Sequence, residues 1–265
     1  MLKTGIVLSG GGIKGMAHLG LIKALQETGI KFDCIAGASA GALTGALIAA
    51  GYSPEESLEF FKSTPIFSIY YYSTSKPGIL DSEKFRPVFE KYFPEDAFEA
   101  LQRPLHVTTT NLETGAWEVH HTGPLINVLL ASASLPPVFA PMLIDGALHA
   151  DGGIMNNFPV EPLEATCKVI LGSYVHPISP ITSSDIKTSV QVAMRSMDLA
   201  RFAIVQPKLK RCHFLFAPPG IEAIGMLDRK VIDKAFSIGY ENALLEMPHL
   251  LKFLEKKWVY PMVAE

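Results

Sequence analysis

Phe32-Asp33-Cys34-Ile35-Ala36-Gly37-Ala38-Ser39-Ala40-Gly41 is the stretch whose reading decides the fold. A short apolar run from Cys34 to Ala36 ends at a glycine, and a serine hemmed by small residues follows. Residues 40–50 then carry a helical composition. This is the strand, tight turn and helix context in which a G-x-S-x-G pattern acquires chemical meaning. Gly37 and Gly41 leave room for a bend that bulkier side chains would block. Such a turn lifts the Ser39 hydroxyl clear and sets it near a helix N-terminus, where unpaired N–H groups favour developing negative charge. Taken alone, the pattern reads as a plain helix cap and tight turn more readily than as a nucleophile.

Upstream, residues 4–9 read as a strand buried on both faces. Gly10-Gly11-Gly12-Ile13-Lys14-Gly15 is a sharp glycine turn, and residues 16–28 are helical with Leu19, Ile22 and Leu25 on one face. Two strand–glycine turn–helix units in succession predict a parallel α/β sheet. The glycine loop is not a Walker A motif. It fits G-x-G-x-x-G through Gly10, Gly12 and Gly15, but Asp33 begins the second strand instead of ending it, where a ribose-binding acid belongs. The loop could cradle a phosphate. It could also aim the N–H groups of Gly11, Gly12 or Ile13 at the oxyanion of an acyl transfer. Lys14 reads as a solvated or structural charge, and His18 as a core residue or a support for the site.

Downstream, residues 54–63 form a helix. Residues 65–79 read as an aromatic and apolar excursion, either a packed cover over the sheet edge or a lid and acyl-chain wall. Asp151 sits between an apolar segment and Gly152-Gly153, where its carboxylate can be held rigidly and accept a proton from Ser39. Asp145, also before a glycine, is open on local grounds. His120 and His121 adjoin and point to opposite faces of a strand, with no third ligand at metal spacing. No metal or cofactor is expected. Residues 186–205 and 229–246 read as long helices, with a helical tail from Pro248 to about residue 258.

The chain has 265 residues, 48% apolar and 18% charged, which suits one globular core. Twenty-three basic against twenty-six acidic residues, with no basic tract, argue against a nucleic-acid partner. Three scattered cysteines predict no disulfide framework and fit a reducing, cytoplasmic location. No secretory signal pattern and no uninterrupted apolar stretch of about 20 residues is read. With no repeat or linker, the expectation is a single domain over residues 1–265, its core at 4–216, the excursion at 65–79 and terminal helices at 229–258.

On three separated blocks the chain resembles the patatin-like phospholipase family in its bacterial single-domain form. The blocks are Gly10 to Gly15, Gly37 to Gly41, and Asp151-Gly152-Gly153 with Asn157 and Pro159 behind it. Ala131-Ser132-Ala133-Ser134 with Pro137, Phe139 and Pro141 fits as well. The resemblance implies a three-layer α/β/α sandwich with a mostly parallel sheet. It also implies hydrolysis of lipid acyl esters by a Ser39–Asp151 dyad, with Gly11, Gly12 and Ile13 as the oxyanion hole. A lipid or acyl-ester substrate goes with that reading, and partial exposure of the excursion at 65–79 would favour peripheral membrane contact. Two other readings stay open. One is an α/β-hydrolase triad using His176, His213 or His249, although Ser39 comes early for that fold. The other is a non-catalytic lipid- or phosphate-binding protein.

Overall fold

The computed structural model describes residues 3–64 and 69–259. Along the chain run β1 (Thr4–Leu8), α1 (Met16–Glu27), β2 (Cys34–Ala38), α2 (Ala40–Ala50) and α3 (Pro54–Ser63). Then come α4 (Arg86–Tyr92), β3 (Leu105–Asn111), β4 (Ala116–His120), α5 (Ile126–Ser132), β5 (Met142–Ile144) and β6 (Ala147–Asp151). The last elements are α6 (Gly153–Asn156), α7 (Glu161–Glu164), β7 (Val169–Ser173), α8 (Ser189–Leu209), β8 (Phe214–Phe216) and α9 (Ile232–Val259).

The central strands are apolar without interruption because both faces are covered. In β1, Ile6 and Leu8 face the larger core while Val7 faces a smaller one. In β7, Val169 and Leu171 face the first and Ile170 the second. That two-residue alternation makes the middle layer of a sandwich of helix, sheet and helix. The larger core holds the apolar faces of α1, α2, α5 and α9. The smaller one gathers Phe158, Leu163 and Val205 around α7 and α8.

The sheet order is β5-β6-β3-β2-β1-β7-β8, with β4 on the other edge of β3. Pairs among β3, β2, β1, β7 and β8 are parallel, and those of β4, β5 and β6 are antiparallel. The sheet is therefore mixed, with a parallel centre. β3 acts as a ruler. Along one edge it pairs first with β2, Thr108 opposite Ala38, and then with β6, Thr109 opposite Asp151. The chain leaves β2 at Ser39 where β6 arrives at Asp151, so residues 112 apart in sequence meet end to end.

Local sequence explains several element boundaries. Ser53 caps α3 by accepting from Glu56 N, and the Glu56 carboxylate accepts from Ser53 N. That capping box contributes about 1 kcal/mol. Asp145 and Gly146 both have positive φ and form the two-residue hairpin between β5 and β6, so Asp145 is an exposed turn former. The expected break at Pro248 does not occur. α9 runs through it, because Met247, Leu250 and Leu254 keep their places in the core and outweigh the one lost backbone hydrogen bond.

Candidate active site

Ser39 occupies a backbone conformation that side chains rarely adopt, φ 52° and ψ −125°, between β2 and α2. The turn is sharp enough that a Cβ at Gly41 would collide with the Leu8 carbonyl, so only glycine fits there. Strain of this kind, at a half-buried serine opening a helix, is held in place by surrounding bonds. Ser39 N donates to the buried Ser132 Oγ at 3.0 Å. The same segment holds Asp151, whose N–H donates to the Ser134 carbonyl at 3.0 Å, while Gly152 N–H donates to the Ser132 carbonyl at 3.3 Å. Thr110 Oγ1 donates to the Asp151 carbonyl at 2.9 Å. The end of α5 thus clamps both sides of the junction.

Within this clamp Ser39 Oγ donates to Asp151 Oδ2 at 2.6 Å. The other carboxylate oxygen accepts from Gly153 N at 2.7 Å. Asp151 is 2% exposed, and burial pushes its carboxyl above the usual aspartate range. The charge of Arg201, the Ser39 hydroxyl and Gly153 N–H oppose that shift without cancelling it.

The glycine loop lies against the same cleft. Gly11, Gly12, Ser39, Asp151, Asn157, Arg201, Met226 and Leu227 are among its walls. Asn157 fastens the loop, its carbonyl accepting from Gly10 N at 3.3 Å and its amide donating to the Gly10 carbonyl at 3.4 Å. Gly12 has φ 58°, and a Cβ there would strike the Met226 carbonyl. Ile13 departs from the expected oxyanion set. Its N–H donates to that same Met226 carbonyl at 2.9 Å and its side chain is buried, so Gly11 and Gly12 remain as the cleft-lining members.

Beside the cleft lies an apolar pocket walled by Leu43, Phe60, Phe61, Phe85, Phe89, Leu130 and neighbours. Ala133 and Phe139 line both spaces. Of the aromatic excursion, Ile66 and Phe67 lie outside the described residues. Tyr71 stacks on the pocket residue Phe85 with centroids 3.9 Å apart. Tyr70, Tyr72 and Ile79 point outward, 62%, 45% and 52% exposed. The segment is therefore amphipathic, with its inner side against the pocket wall.

The histidines named in the triad reading are elsewhere. His176 Nε2 lies 3.1 Å from Asp198 Oδ1, His213 Nδ1 accepts from Ile170 N, and His249 is exposed beside Glu246. His18 is wholly buried and neutral, its pKa lowered to about 4 by desolvation. It donates to the Ser9 carbonyl and accepts from Ser173 Oγ, bracing the ends of β1 and β7. Lys14, expected as a solvated or structural charge, is buried, its pKa lowered by desolvation against the pull of Asp198 and Glu222. Arg201 was not legible as a site residue. It sits mid-helix in α8 among exposed positions, and no local pattern marks it.

The sequence profile described as patatin-like phospholipase matches residues 6–164. The chain belongs to the patatin-like phospholipase family. An uncharacterized NTE family protein of Mycobacterium tuberculosis is 36% identical over 164 residues, covering 61% of this chain and 45% of that protein. Human patatin-like phospholipase domain-containing protein 6 is 33% identical over 169 residues, covering 59% of this chain and 12% of its own length. The chain thus spans less than half the length of either relative. The crystal structure of VipD from Legionella pneumophila shares the fold with a TM-score of 0.50 at 16% identity, covering 96% of this chain and 67% of that one. Among the described residues, no helix is long and apolar enough to cross a membrane.

Proposed function

We propose that this chain is a serine lipid acyl hydrolase, with Ser39 as nucleophile and Asp151 as general base. The observation that carries the reading is the 2.6 Å hydrogen bond from the Ser39 hydroxyl to Asp151, inside a cleft bordered by the glycine loop. Ser39 Oγ attacks the ester carbonyl carbon as its proton passes to Asp151 Oδ2. The tetrahedral oxyanion is met by the N–H groups of Gly11 and Gly12 and by the positive end of α2. Its collapse breaks the ester C–O bond, and Asp151 returns the proton to the departing alkoxide. Water then attacks the acyl-serine, giving a proton to Asp151. When the acid leaves, that proton goes back to Ser39 Oγ. Nucleophile, base and oxyanion donors all come from the chain, so the cycle needs no Lewis acid.

The apolar pocket is the natural seat of the acyl chain, since it adjoins the cleft and shares Ala133 and Phe139 with it. Arg201, which lines the same cleft and reaches Asp198 Oδ1 at 3.3 Å through one of its nitrogens, favours an ester that carries a phosphate, as in phospholipids and lysophospholipids. Arg201 is 6% exposed, and its Nε has no hydrogen-bond partner among the described residues. Folded protein is expected to release fatty acid from medium- and long-chain p-nitrophenyl esters, and from lysophospholipid faster than from monoacylglycerol. No acyl release from any of these would refute the assignment.

Chain length offers a second measurement. Leu43→Trp fills the pocket without touching the dyad. A buried CH2 is worth about 0.8 kcal/mol, so excluding even two methylenes costs roughly tenfold in kcat/KM. Dodecanoyl ester turnover should fall by about that factor or more while acetyl ester turnover holds. Equal losses on both esters would remove the pocket from acyl binding. The outward tyrosines of the excursion suit contact with a lipid surface at the pocket mouth.

A further inference from the structure

A second group of chemistry-bearing side chains stands on the sheet beside the cleft and forms none of its walls. Thr109 in β3 pairs with Glu118 on β4 and with Asp151 on β6. Because side chains alternate, His120, two residues along β4, and His149, two residues back along β6, share the Thr109 face. One ligand atom from each of Glu118, His120 and His149 lies within 4.8 Å of the other two. Local spacing hid this, since His149 joins the pair on β4 only through the pairing of three strands.

The surroundings are those of a prepared coordination site. Thr109 Oγ1 lies 2.9 Å from His149 Nδ1 and 2.8 Å from His120 Nε2, holding both rings. The bond at Nδ1 leaves His149 Nε2 facing Glu118 Oε2 at 3.9 Å. That separation is too long for a hydrogen bond. It is wider than the roughly 3.4 Å between two ligands of a tetrahedral ion bound at about 2.0–2.2 Å, and a small rotation of the Glu118 side chain would close the pair on an ion. The other Glu118 oxygen accepts from Asn111 Nδ2 at 2.8 Å. Each first ligand is thus oriented by a hydroxyl or amide behind it, as in working metal sites. His149 is buried while the Glu118 side chain is 41% exposed, so the group has a closed inner side and an open outer one.

We propose that Glu118, His120 and His149 bind one divalent cation of the zinc class, with water completing the tetrahedron. Two imidazoles and one carboxylate suit zinc and disfavour magnesium and calcium, which take oxygen ligands. The ion would tie β4 to β6 across β3 and stabilise the sheet edge. It takes no part in the serine chemistry.

The test uses tag-free full-length protein, stripped with chelator and dialysed against zinc or magnesium chloride. The expected result is one zinc per chain, no stoichiometric magnesium, and a higher thermal midpoint with zinc. Glu118→Gln, at a half-buried position, and His120→Ala should each weaken zinc binding at least about tenfold. His121→Ala should leave it unchanged, since His121 turns to the other face beside His106. Circular dichroism establishes that each variant is folded. Absence of stoichiometric zinc, equal zinc affinity in Glu118→Gln and His120→Ala, or loss in His121→Ala would each overturn the proposal. The cluster would then be a hydrogen-bonded network only.

Discussion

Replacing Ser39 with alanine is expected to lower acyl-ester turnover by about 10⁴-fold or more, to the level of binding and oxyanion stabilisation alone. The change removes one oxygen at a half-buried position that opens onto the cleft, so water can take its place against Asp151. The positive φ at residue 39 is no worse for alanine than for serine, and the backbone bonds from the end of α5 do not involve the hydroxyl. The fold should therefore survive, with a thermal midpoint close to that of the parent. Measured with p-nitrophenyl octanoate, retention of even a tenth of the parent activity would remove Ser39 as nucleophile.

Asp151→Asn is expected to cost about 10²–10⁴-fold, the range for loss of a positioned general base. The amide oxygen can still accept from Gly153 N, so the side chain keeps its place. Its NH2 then faces Ser39 Oγ as a donor, where the carboxylate accepted, and the serine proton has no acceptor. Stability should not suffer. Burial raises the Asp151 pKa, so the folded state disfavours the charge. Ionising Asp151 costs stability as pH rises from the ordinary aspartate range through its raised pKa, and a neutral amide avoids that cost.

The same shift sets the pH profile. The base works only when ionised, so kcat/KM should rise with pH along an acid limb whose midpoint lies above the usual aspartate range. Arg201 opposes the shift, so Arg201→Gln should move that midpoint to higher pH still. An unchanged midpoint in Arg201→Gln would mean that the limb belongs to another group. Near-parent turnover in Asp151→Asn would return the base role to a histidine, despite the positions of His176, His213 and His249.

Much of this molecule could be read from local chemistry. The first two strand–turn–helix units, the cap at Ser53 and the glycines around Ser39 follow from φ preferences and apolar periodicity, which act within a few residues. Ser39 and Asp151 each stood out by their own surroundings. What brings them to 2.6 Å is the edge of β3, where Thr108 meets Ala38 and Thr109 meets Asp151. Backbone pairing between segments 70 and 42 residues apart leaves no periodic mark on either partner. The same holds where tertiary contacts changed the reading. Ile13 N–H donates to the carbonyl of Met226, far along the chain, and buried Lys14 feels the charges of Asp198 and Glu222. Arg201 reaches the cleft from α8, and His149 completes a group with Glu118 and His120. Sequence alone determined which short elements form and which residues are chemically equipped. The tertiary structure decided which of those groups meet, because strand register and burial are properties of the assembled sheet.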